Sequence, residues 1–228
     1  MTLHLTNLSR DAELDGHIVH PALPAEGSVY RNGIKRILDT LVILAAAPVV
    51  LPAVLVIAML VALDGRNPFY AQQRIGRDGR VFRMWKLRTM VPDAHQMLEE
   101  YLKTNAEARI EWNTTQKLKK DPRITRIGAL LRKTSVDELP QLWNVLWGDM
   151  SLVGPRPMMV EQRDLYDGHG YFRVRPGITG LWQVSDRNDC NFADRAYYDD
   201  RYDAELSFRG DLQIMFRTVG VMLRGTGY

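Results

Sequence analysis

Residues 41–63 read LVILAAAPVVLPAVLVIAMLVAL, and this apolar stretch without a single charge decides the fold of the chain. As a helix it would extend about 35 Å, enough to cross the hydrocarbon core of a bilayer. A buried core helix rarely lacks polar residues over such a length. A cleaved signal peptide would begin closer to Met1 and would have a shorter apolar run. The stretch is therefore predicted to be a membrane segment.

Basic residues on both sides of this stretch bear on its path through the membrane. They are Arg31, Lys35 and Arg36 before it, and Arg66, Arg74, Arg77 and Arg80 after it. Because Lys and Arg near membrane segments stay on the cytoplasmic side, both ends are expected there, as in a re-entrant hairpin. Pro48 lacks an amide donor and clashes with the preceding turn, so it is the predicted break. The alternative is a kinked single pass, since prolines are common in spanning helices.

The overall composition is that of one modest globular domain. The chain has 228 residues, 30 Lys plus Arg against 27 Asp plus Glu, and 46% hydrophobic residues, so it can bury a core and is neither a disordered tail nor a coiled coil. A lone cysteine, Cys190, excludes an intramolecular disulfide and fits a reducing compartment. The five histidines show no metal-ligand spacing.

Outside the apolar stretch, the patterns predict helices around a small β-hairpin. Residues 69–73 and 81–85 flank a turn containing Asp78-Gly79 and should form the hairpin. A helix is expected from Pro92 onward, and others over residues 122–133, 142–146 and 212–223. Residues 122–133 carry an apolar stripe bordered by basic residues, a pattern suited to lying on anionic lipid, although ordinary surface helices also show it. The tryptophans of residues 142–147, and the apolar run 212–223 with Arg217, could also lie at an interface.

Two adjacent carboxylates, Asp137 and Glu138, precede one of these helices and are the first candidates for chemistry. Ser135 followed three residues later by Glu138 also matches a capping box, which would make Glu138 only a helix-start residue. Pro140 argues against that start, because it would delete a helical bond, and favours one nearer Asp137. Asp137 could then act as an ionised nucleophile towards phosphorus while Glu138 holds a divalent metal.

Cationic side chains that could bind phosphate lie on either side of this pair in the sequence. Strand alternation would place Lys86 and Arg88 on one face, although a solvated strand edge gives the same pattern. Arg156 lies between two prolines that restrict its backbone, and Arg175 opens a second basic loop. A rigid structural turn is the alternative for Arg156. The chain contains no Gly-rich phosphate loop of the P-loop or dinucleotide type.

Six motifs occur in order along the chain and together resemble a known family. They are Lys35-Arg36 with Asp39 before the proline-containing run, Lys86-Leu87-Arg88-Thr89-Met90, Asp121-Pro122-Arg123-Ile124-Thr125, Ser135-Val136-Asp137-Glu138-Leu139-Pro140-Gln141-Leu142, Gly148-Asp149-Met150-Ser151-Leu152-Val153-Gly154-Pro155-Arg156-Pro157, and Arg175-Pro176-Gly177-Ile178-Thr179-Gly180. Over residues 31–228 the chain resembles the bacterial sugar transferases, the monotopic phosphoglycosyl transferases that start exopolysaccharide or O-antigen assembly on undecaprenyl phosphate.

The resemblance implies an α+β fold that is mostly helical, with a re-entrant membrane helix and interfacial amphipathic helices around a small β-sheet. It divides residues 31–228 into the re-entrant helix hairpin (31–66) and a catalytic domain (67–228) on the cytoplasmic face of the bacterial inner membrane. Residues 1–30 show no periodic apolar pattern and contain Pro21 and Pro24, so they are predicted to form a mobile arm. Many members have Ser before the breaking proline, whereas this chain has Ala47, which bears on the geometry of the break. The length suggests a minimal member without further N-terminal membrane helices or a regulatory domain.

The resemblance also assigns a mechanism. Asp137 would attack the sugar-proximal phosphate of a UDP-hexose, release UMP and pass the phosphosugar to undecaprenyl phosphate, with Mg²⁺ held near Glu138. Arg156 matches an arginine that contacts the donor. The residues Lys86, Arg88 and Asp211 match positions that support phosphate binding or site geometry, and Arg175 belongs to a matching motif.

The sugar and the partners are less closely defined. The expected donor is UDP-galactose first and UDP-glucose second. Membrane lipid and downstream glycosyltransferases are further expected partners, and the oligomeric state is left open.

One alternative is a membrane-attached adaptor that does no chemistry, although both Asp137 and Glu138 are retained. A nucleic-acid binder is a second alternative, but the basic residues cluster around the membrane segment and the proposed phosphate loops, without a recognised binding motif.

Overall fold

A computed structural model describes residues 29–64, 66–115, 118–185 and 194–223. The predicted arm, residues 1–30, lies outside this part of the chain except for its last two residues, as does Cys190. The main elements in chain order are α1 Lys35–Val61, β1 Phe69–Ile75, β2 Val81–Leu87, α2 Ala94–Thr104, α3 Ala106–Thr115, α4 Arg126–Lys133, α5 Gln141–Trp147, β3 Ser151–Val153, α6 Gly170–Arg173, β4 Gly177–Thr179, α7 Leu181–Val184, α8 Asp194–Glu205 and α9 Phe208–Leu223. The fold is mostly helical, as predicted, with two small two-stranded sheets.

Helix α1 contains the apolar stretch that is predicted to enter the membrane. With the π-helical turn that precedes it, the helix spans Tyr30–Val61, has a mean hydropathy of 2.8 over its most apolar window, and is long and apolar enough to cross a bilayer. Pro48 and Pro52 both lie inside the helix, and the helical assignment continues through them. The structure therefore shows no interruption at Pro48, and the re-entrant path stays a prediction.

Both ends of α1 pack against the rest of the chain, whereas its middle is exposed. Near its start, Ile43 packs in a cluster with Met84, Val145 and Met150. At its end, Ala58 and Val61 pack in a second cluster with Leu87 and Leu131. Between them, Val49 is 76% exposed and Leu55 is 60% exposed. The helix is thus part of the core at both ends and leaves an apolar surface in between.

The β-hairpin is confirmed, and each strand extends two residues beyond the prediction. Strands β1 and β2 pair antiparallel, from Phe69 opposite Leu87 to Ile75 opposite Val81. The turn is possible because Asp78 and Gly79 adopt left-handed backbone conformations, with φ of 59° and 74°, which these two residue types tolerate best.

The second sheet joins two loops through closely packed glycines. Strands β3 and β4 are parallel, with Ser151 opposite Gly177. A Cβ atom on Gly177 would lie 2.1 Å from the backbone nitrogen of Gly154, so only glycine allows this approach. The loop 154–157 is therefore held directly against the segment that contains β4.

The other predicted helices are found, with one boundary corrected. Helices α2, α5 and α9 cover the predicted regions. The prediction of a helix over residues 122–133 is wrong for its first four residues. Ile124 forms a β-bridge with Met90, and the side chain of Thr125 accepts a hydrogen bond from the Gly128 amide and so begins α4 at Arg126.

Helices α4, α5 and α9 leave large apolar side chains at the surface. Leu130 is 61% exposed, Trp147 is 65% exposed and Phe216 is 70% exposed. Such side chains suit contact with a lipid interface, which stays a prediction for these helices.

Candidate active site

Asp137 and Glu138 lie in a single 3-10 turn, Val136–Glu138, between α4 and α5. Ser135 enters this turn with a left-handed backbone, at φ 55° and ψ 18°, and its side chain caps no amide. Helix α5 begins at Gln141, directly after Pro140. Helix α5 therefore begins later than either predicted start. A start at Ser135 would place Pro140 where it deletes a helical hydrogen bond, and near Asp137 the chain forms the separate 3-10 turn instead of the first turn of α5.

The two carboxylates of this turn have different surroundings. Lys86 Nζ donates a hydrogen bond of 2.8 Å to Glu138 Oε1, and the Glu138 side chain is 23% exposed. Asp137 is buried. Burial raises the pKa of the Asp137 carboxyl, the positive charge of Lys86 opposes this rise, and the adjacent Glu138 adds to it. Lys86 thus fixes one carboxylate and favours ionisation of the other.

Glu138 and Lys86 line a cleft between the β-hairpin and the two loops that the glycines hold together. The polar side chains that line it are Arg74, Lys86, Glu138, Gln141, Arg156 and Gln183. Three of these are cations and one is an anion, so the cleft favours a negatively charged ligand.

Arg74 and Arg156 give the cleft most of its positive charge. Burial and then the nearby charge of Arg156 lower the pKa of Arg74 to about 10, which still leaves it protonated at neutral pH. Behind Arg156, Arg195 donates a hydrogen bond to the Arg156 carbonyl and forms an ion pair of 3.3 Å with Asp199. This pair supports the backbone of the loop that presents Arg156.

The structure brings four of the predicted site residues together. Asp137 and Glu138 are neighbours in the turn, Lys86 bonds to Glu138, and Arg156 lines the same cleft. Arg88 follows the last residue of β2, Leu87, and its amide still donates to the Pro68 carbonyl at 2.8 Å, so the placement of Lys86 and Arg88 on one face stays a prediction. The Arg88 side chain donates to the carbonyl oxygens of Asn67 at 2.9 Å and Val61 at 3.1 Å.

Arg175 and Asp211 also lie apart from the cleft-lining side chains. Arg175 Nε donates to the Gly148 carbonyl at 2.8 Å, and burial lowers the pKa of this guanidinium. Asp211 accepts hydrogen bonds from Tyr30 at 2.6 Å and from Lys35 at 2.5 Å. Substrate contacts by Arg88, Arg175 and Asp211 stay predictions, and the contacts described here are structural.

Asp211 belongs to a buried polar cluster, which we call the N-terminal anchor, formed by Tyr30, Arg31, Lys35, Asp203 and Asp211. Arg31 and Asp203 form an ion pair of 2.5 Å, and Asp203 also accepts from Arg173 at 2.5 Å. The cluster ties the beginning of α1 to α8 and α9.

A family model described as "Bacterial sugar transferase" matches residues 30–225. The chain belongs to the bacterial sugar transferase family. The chain is 48% identical over 196 residues to the UDP-galactose-lipid carrier transferase of Erwinia amylovora. It is 44% identical to the exopolysaccharide production protein ExoY of Rhizobium meliloti and 43% identical to the undecaprenyl-phosphate galactose phosphotransferase of Salmonella typhimurium, each over 196 residues.

Each of these matches covers 85% of the present chain, but the relatives differ in length. The match covers 87% of the Rhizobium protein. It covers only 41% of the Erwinia and Salmonella proteins, so the chain spans about two fifths of their length.

The acidic side chains beside the cleft fit one mode of magnesium binding. Within the described residues, no group of three or more His, Cys, Asp or Glu side chains could hold a metal ion. Mg²⁺ is commonly bound by one or two carboxylates together with substrate phosphates and water. Asp137 and Glu138 fit that mode and do not fit a site made only of protein ligands.

Sequence reasoning missed three polar residues of the cleft: Arg74, Gln141 and Gln183. Arg74 was counted only among the charges that flank the membrane segment. Gln141 lies inside a motif that drew attention to its carboxylates, and Gln183 follows the glycine-containing loop. The first hint available in the sequence was the spacing of Gln72 and Arg74, which puts both on one face of the predicted strand.

Proposed function

We propose that this chain transfers a hexose 1-phosphate from a UDP-hexose to undecaprenyl phosphate and releases UMP, as the first membrane step of exopolysaccharide synthesis. Galactose is the preferred sugar of the proposal and glucose the second. The names of the Erwinia and Salmonella relatives support galactose. A relative from Klebsiella pneumoniae, 35% identical over 222 residues, is named a UDP-glucose:undecaprenyl-phosphate glucose-1-phosphate transferase. Its name supports glucose as the second candidate sugar.

The observation that carries the proposal is the Asp137–Glu138 turn beside a cationic cleft. Asp137 is buried, which strips water from its carboxylate, and Lys86 opposes its protonation. Lys86 and Arg156 line the cleft next to Glu138, where a diphosphate would meet positive charge. An adaptor without chemistry would have no need for this arrangement.

The reaction proceeds through two displacements at one phosphorus atom. A carboxylate oxygen of Asp137 attacks the sugar-proximal phosphorus, and the bond from that phosphorus to the bridging oxygen breaks, so UMP leaves with the bridging oxygen. A phosphate oxygen of undecaprenyl phosphate then attacks the same phosphorus and breaks its bond to Asp137. The aspartate returns as a carboxylate, and the lipid carries a diphosphosugar.

Other side chains position and neutralise the donor. Lys86 and Arg156 bind phosphate oxygens of the diphosphate, and Glu138 would hold Mg²⁺ together with these phosphates. When bound, the magnesium ion supplies positive charge that offsets the developing charge on the leaving phosphate.

The membrane placement of the proposal puts both ends of α1 and the catalytic domain on the cytoplasmic side. Support comes from the two ends of α1, which pack against one folded body, and from the basic residues that flank the helix on both sides. In this proposal the apolar middle of the helix enters the bilayer, and the helix returns to the same leaflet by bending at Pro48 and Pro52 without a break in its helical assignment. The cleft can then meet the phosphate of undecaprenyl phosphate.

The test is nucleotide release by purified protein in detergent with Mg²⁺. UDP-galactose and UDP-glucose are supplied with and without undecaprenyl phosphate, and UMP is separated from UDP. The wild type is compared with Asp137→Asn and with a matched control, Asp164→Asn, whose carboxylate is exposed and outside the cleft. We expect lipid-dependent UMP from one sugar, lost by about 10³-fold or more in Asp137→Asn and retained in Asp164→Asn.

Two further outcomes would overturn the proposal. Release of UDP instead of UMP would indicate an ordinary glycosyltransferase and would exclude the aspartyl intermediate. No nucleotide release from folded wild-type protein would favour the adaptor. Mass spectrometry of the wild type with donor alone adds a direct check, because a hexose phosphate adduct should appear on the peptide that contains Asp137.

A further inference from the structure

Two buried side-chain atoms in the described part of the chain lack a hydrogen-bond partner, Arg74 Nε and Gln183 Oε1. Buried polar atoms almost always have partners, so each exception calls for an explanation. Both residues line the same cleft, although 109 positions in the sequence separate them. Their coincidence at one place indicates a ligand rather than two independent packing defects.

Arg74 has the surroundings of an anion-binding group. Its exposed fraction is 9%, and its described partners are neutral oxygens: Gln72 Oε1 at 2.7 Å and the Pro157 carbonyl at 3.5 Å. Its charged neighbours Arg156 and Arg195 repel it. A buried guanidinium among other cations is costly unless an anion compensates it.

The backbone around Arg74 fixes its position beside the loop that presents Arg156. The amide of Ile75 donates to the Met158 carbonyl at 3.0 Å, and the hydroxyl of Tyr171 donates to the Ile75 carbonyl at 2.5 Å. Met158 and Tyr171 are fully buried. The backbone next to Arg74 is therefore held by the core, which keeps Arg74 beside the cleft.

Gln183 offers the opposite kind of group. Its amide nitrogen donates to the Ile178 carbonyl at 2.9 Å, which fixes the side chain and leaves Oε1 as an acceptor. A Cβ atom on Gly180 would lie 2.9 Å from this oxygen, so a larger residue at position 180 would crowd it. The residues that line the cleft therefore include one unused donor and one unused acceptor, and both atoms are covered from solvent in this structure.

We infer that Arg74 and Gln183 are ligand-binding residues of the cleft, with Arg74 binding a phosphate oxygen and Gln183 accepting a hydrogen bond from a hydroxyl or N–H group of the same ligand. The inference deepens the proposed function and rests on it for the identity of the ligand, since a nucleoside diphosphate hexose carries both kinds of group. The phosphate contact by Arg74 requires only that the ligand contain a phosphate or diphosphate.

The test measures ligand binding and thermal unfolding of the detergent-solubilised full chain without turnover. The probes are inorganic diphosphate, UDP and UDP-galactose. The variants are Arg74→Gln and Gln183→Leu, and the matched control is Arg83→Gln, an exposed arginine on the neighbouring strand. We expect Arg74→Gln to weaken all three probes by about tenfold or more, because a hydrogen bond to a charged group is lost.

Gln183→Leu should give a different pattern. It should weaken UDP or UDP-galactose, which carry hydroxyl and N–H donors, and leave inorganic diphosphate unchanged. The unfolding temperature of ligand-free Arg74→Gln should equal or exceed that of the wild type, because an uncompensated buried charge is removed. If the role of Arg74 were purely structural, the unfolding temperature of Arg74→Gln would fall below that of the wild type.

Several outcomes would overturn the inference. For Arg74→Gln, they are unchanged affinities for the three probes, or a lower unfolding temperature with retained binding. For Gln183→Leu, the contrary outcome is unchanged affinity for UDP and UDP-galactose. Failure of the wild type to bind any probe would also overturn the inference. If Arg74→Gln binds normally while the wild type releases UMP, the inference fails and the proposed function stands. If diphosphate binding depends on Arg74 but no UMP forms, the inference stands for Arg74 and the proposed function fails.

Discussion

The N-terminal anchor and the cleft both bury charged side chains, but they differ in how those charges are paired. In the anchor, Asp203 and Asp211 each accept hydrogen bonds from cations or tyrosines through both carboxylate oxygens. In the cleft, Arg74 is buried near two other arginines, and no carboxylate contacts it within the described residues. Charges that are satisfied inside the protein hold chain segments together, whereas uncompensated ones prepare a place for a ligand.

The largest expected effect comes from breaking the anchor. Asp211→Asn removes the negative charge that pairs with Lys35, whose side chain is also largely buried. We expect the free energy of unfolding to fall by about 3 to 5 kcal/mol, as measured by denaturant unfolding in detergent micelles. Diphosphate affinity of the remaining folded protein should not change.

The exposed Asp164→Asn is the control for this change and should leave stability within about 0.5 kcal/mol of the wild type. If Asp211→Asn instead kept its stability and lost affinity for a UDP-hexose, Asp211 would be a substrate-binding residue and the contrast between the two clusters would fail.

The next prediction concerns the glycine contact that shapes the cleft. Gly177→Ala would drive a methyl group into the backbone of Gly154, so the two loops must separate. We expect a loss of about 3 kcal/mol in unfolding free energy together with weaker diphosphate binding. Gly220→Ala, in α9 with no atom within 4 Å of the added methyl group, should be neutral or slightly stabilising. Equal behaviour of the two variants would contradict the prediction.

A smaller effect is expected from Asp199, which supports the cleft through Arg195. Burial raises the pKa of Asp199 to about 6. The folded protein therefore keeps a proton that the unfolded chain loses, so Asp199 favours folding at about pH 4 and loses this contribution as the pH rises through 6. The stability advantage of the wild type over Asp199→Asn should shrink by about 2 kcal/mol between pH 4 and pH 7.

Unfolding curves of the wild type and Asp199→Asn at pH 4, 5.5 and 7 test whether the stability advantage of the wild type shrinks as the pH rises. An advantage that grows with pH would show that the ion pair with Arg195 keeps the pKa of Asp199 low, and Arg195 would then resemble the paired charges of the anchor.

The smallest effect is expected at Arg88, which the resemblance assigned to phosphate binding. Arg88→Gln should lower the free energy of unfolding by about 1 kcal/mol, because hydrogen bonds to the Val61 carbonyl at the end of α1 and to the Asn67 carbonyl are lost. Diphosphate affinity, measured beside the exposed Arg83→Gln, should not change. A tenfold loss of affinity at unchanged stability would place Arg88 with the cleft residues.

Local patterns in the sequence were sufficient for elements whose signals lie within a few residues. The hairpin followed from Asp78-Gly79 between two strand-like runs, and α5 from the apolar residues after Pro140. Boundaries depended on atoms that patterns do not locate. Thr125 begins α4 because its hydroxyl meets the Gly128 amide, while Ile124 is drawn into a bridge with Met90.

The candidate site was only partly predictable, because burial and pairing arise from distant parts of the chain. The adjacent Asp137 and Glu138 could be found in the sequence. Local context does not show that Arg74 is buried beside other cations, or that Asp211 pairs with Lys35, which is 176 positions away. Long-range contacts decide which charge supports the fold and which awaits a ligand.

The burial of both ends of α1 has a practical consequence for anyone who wants a soluble form of this protein. Removing the helix would expose the surfaces of Met84, Val145 and Leu87 that it covers, and would take away the arginine that binds the carbonyls at the end of α5. A shortened chain should therefore aggregate rather than yield an active enzyme. Solubility is better sought by replacing the exposed apolar residues in the middle of the helix, such as Val49 and Leu55, while its two ends are kept.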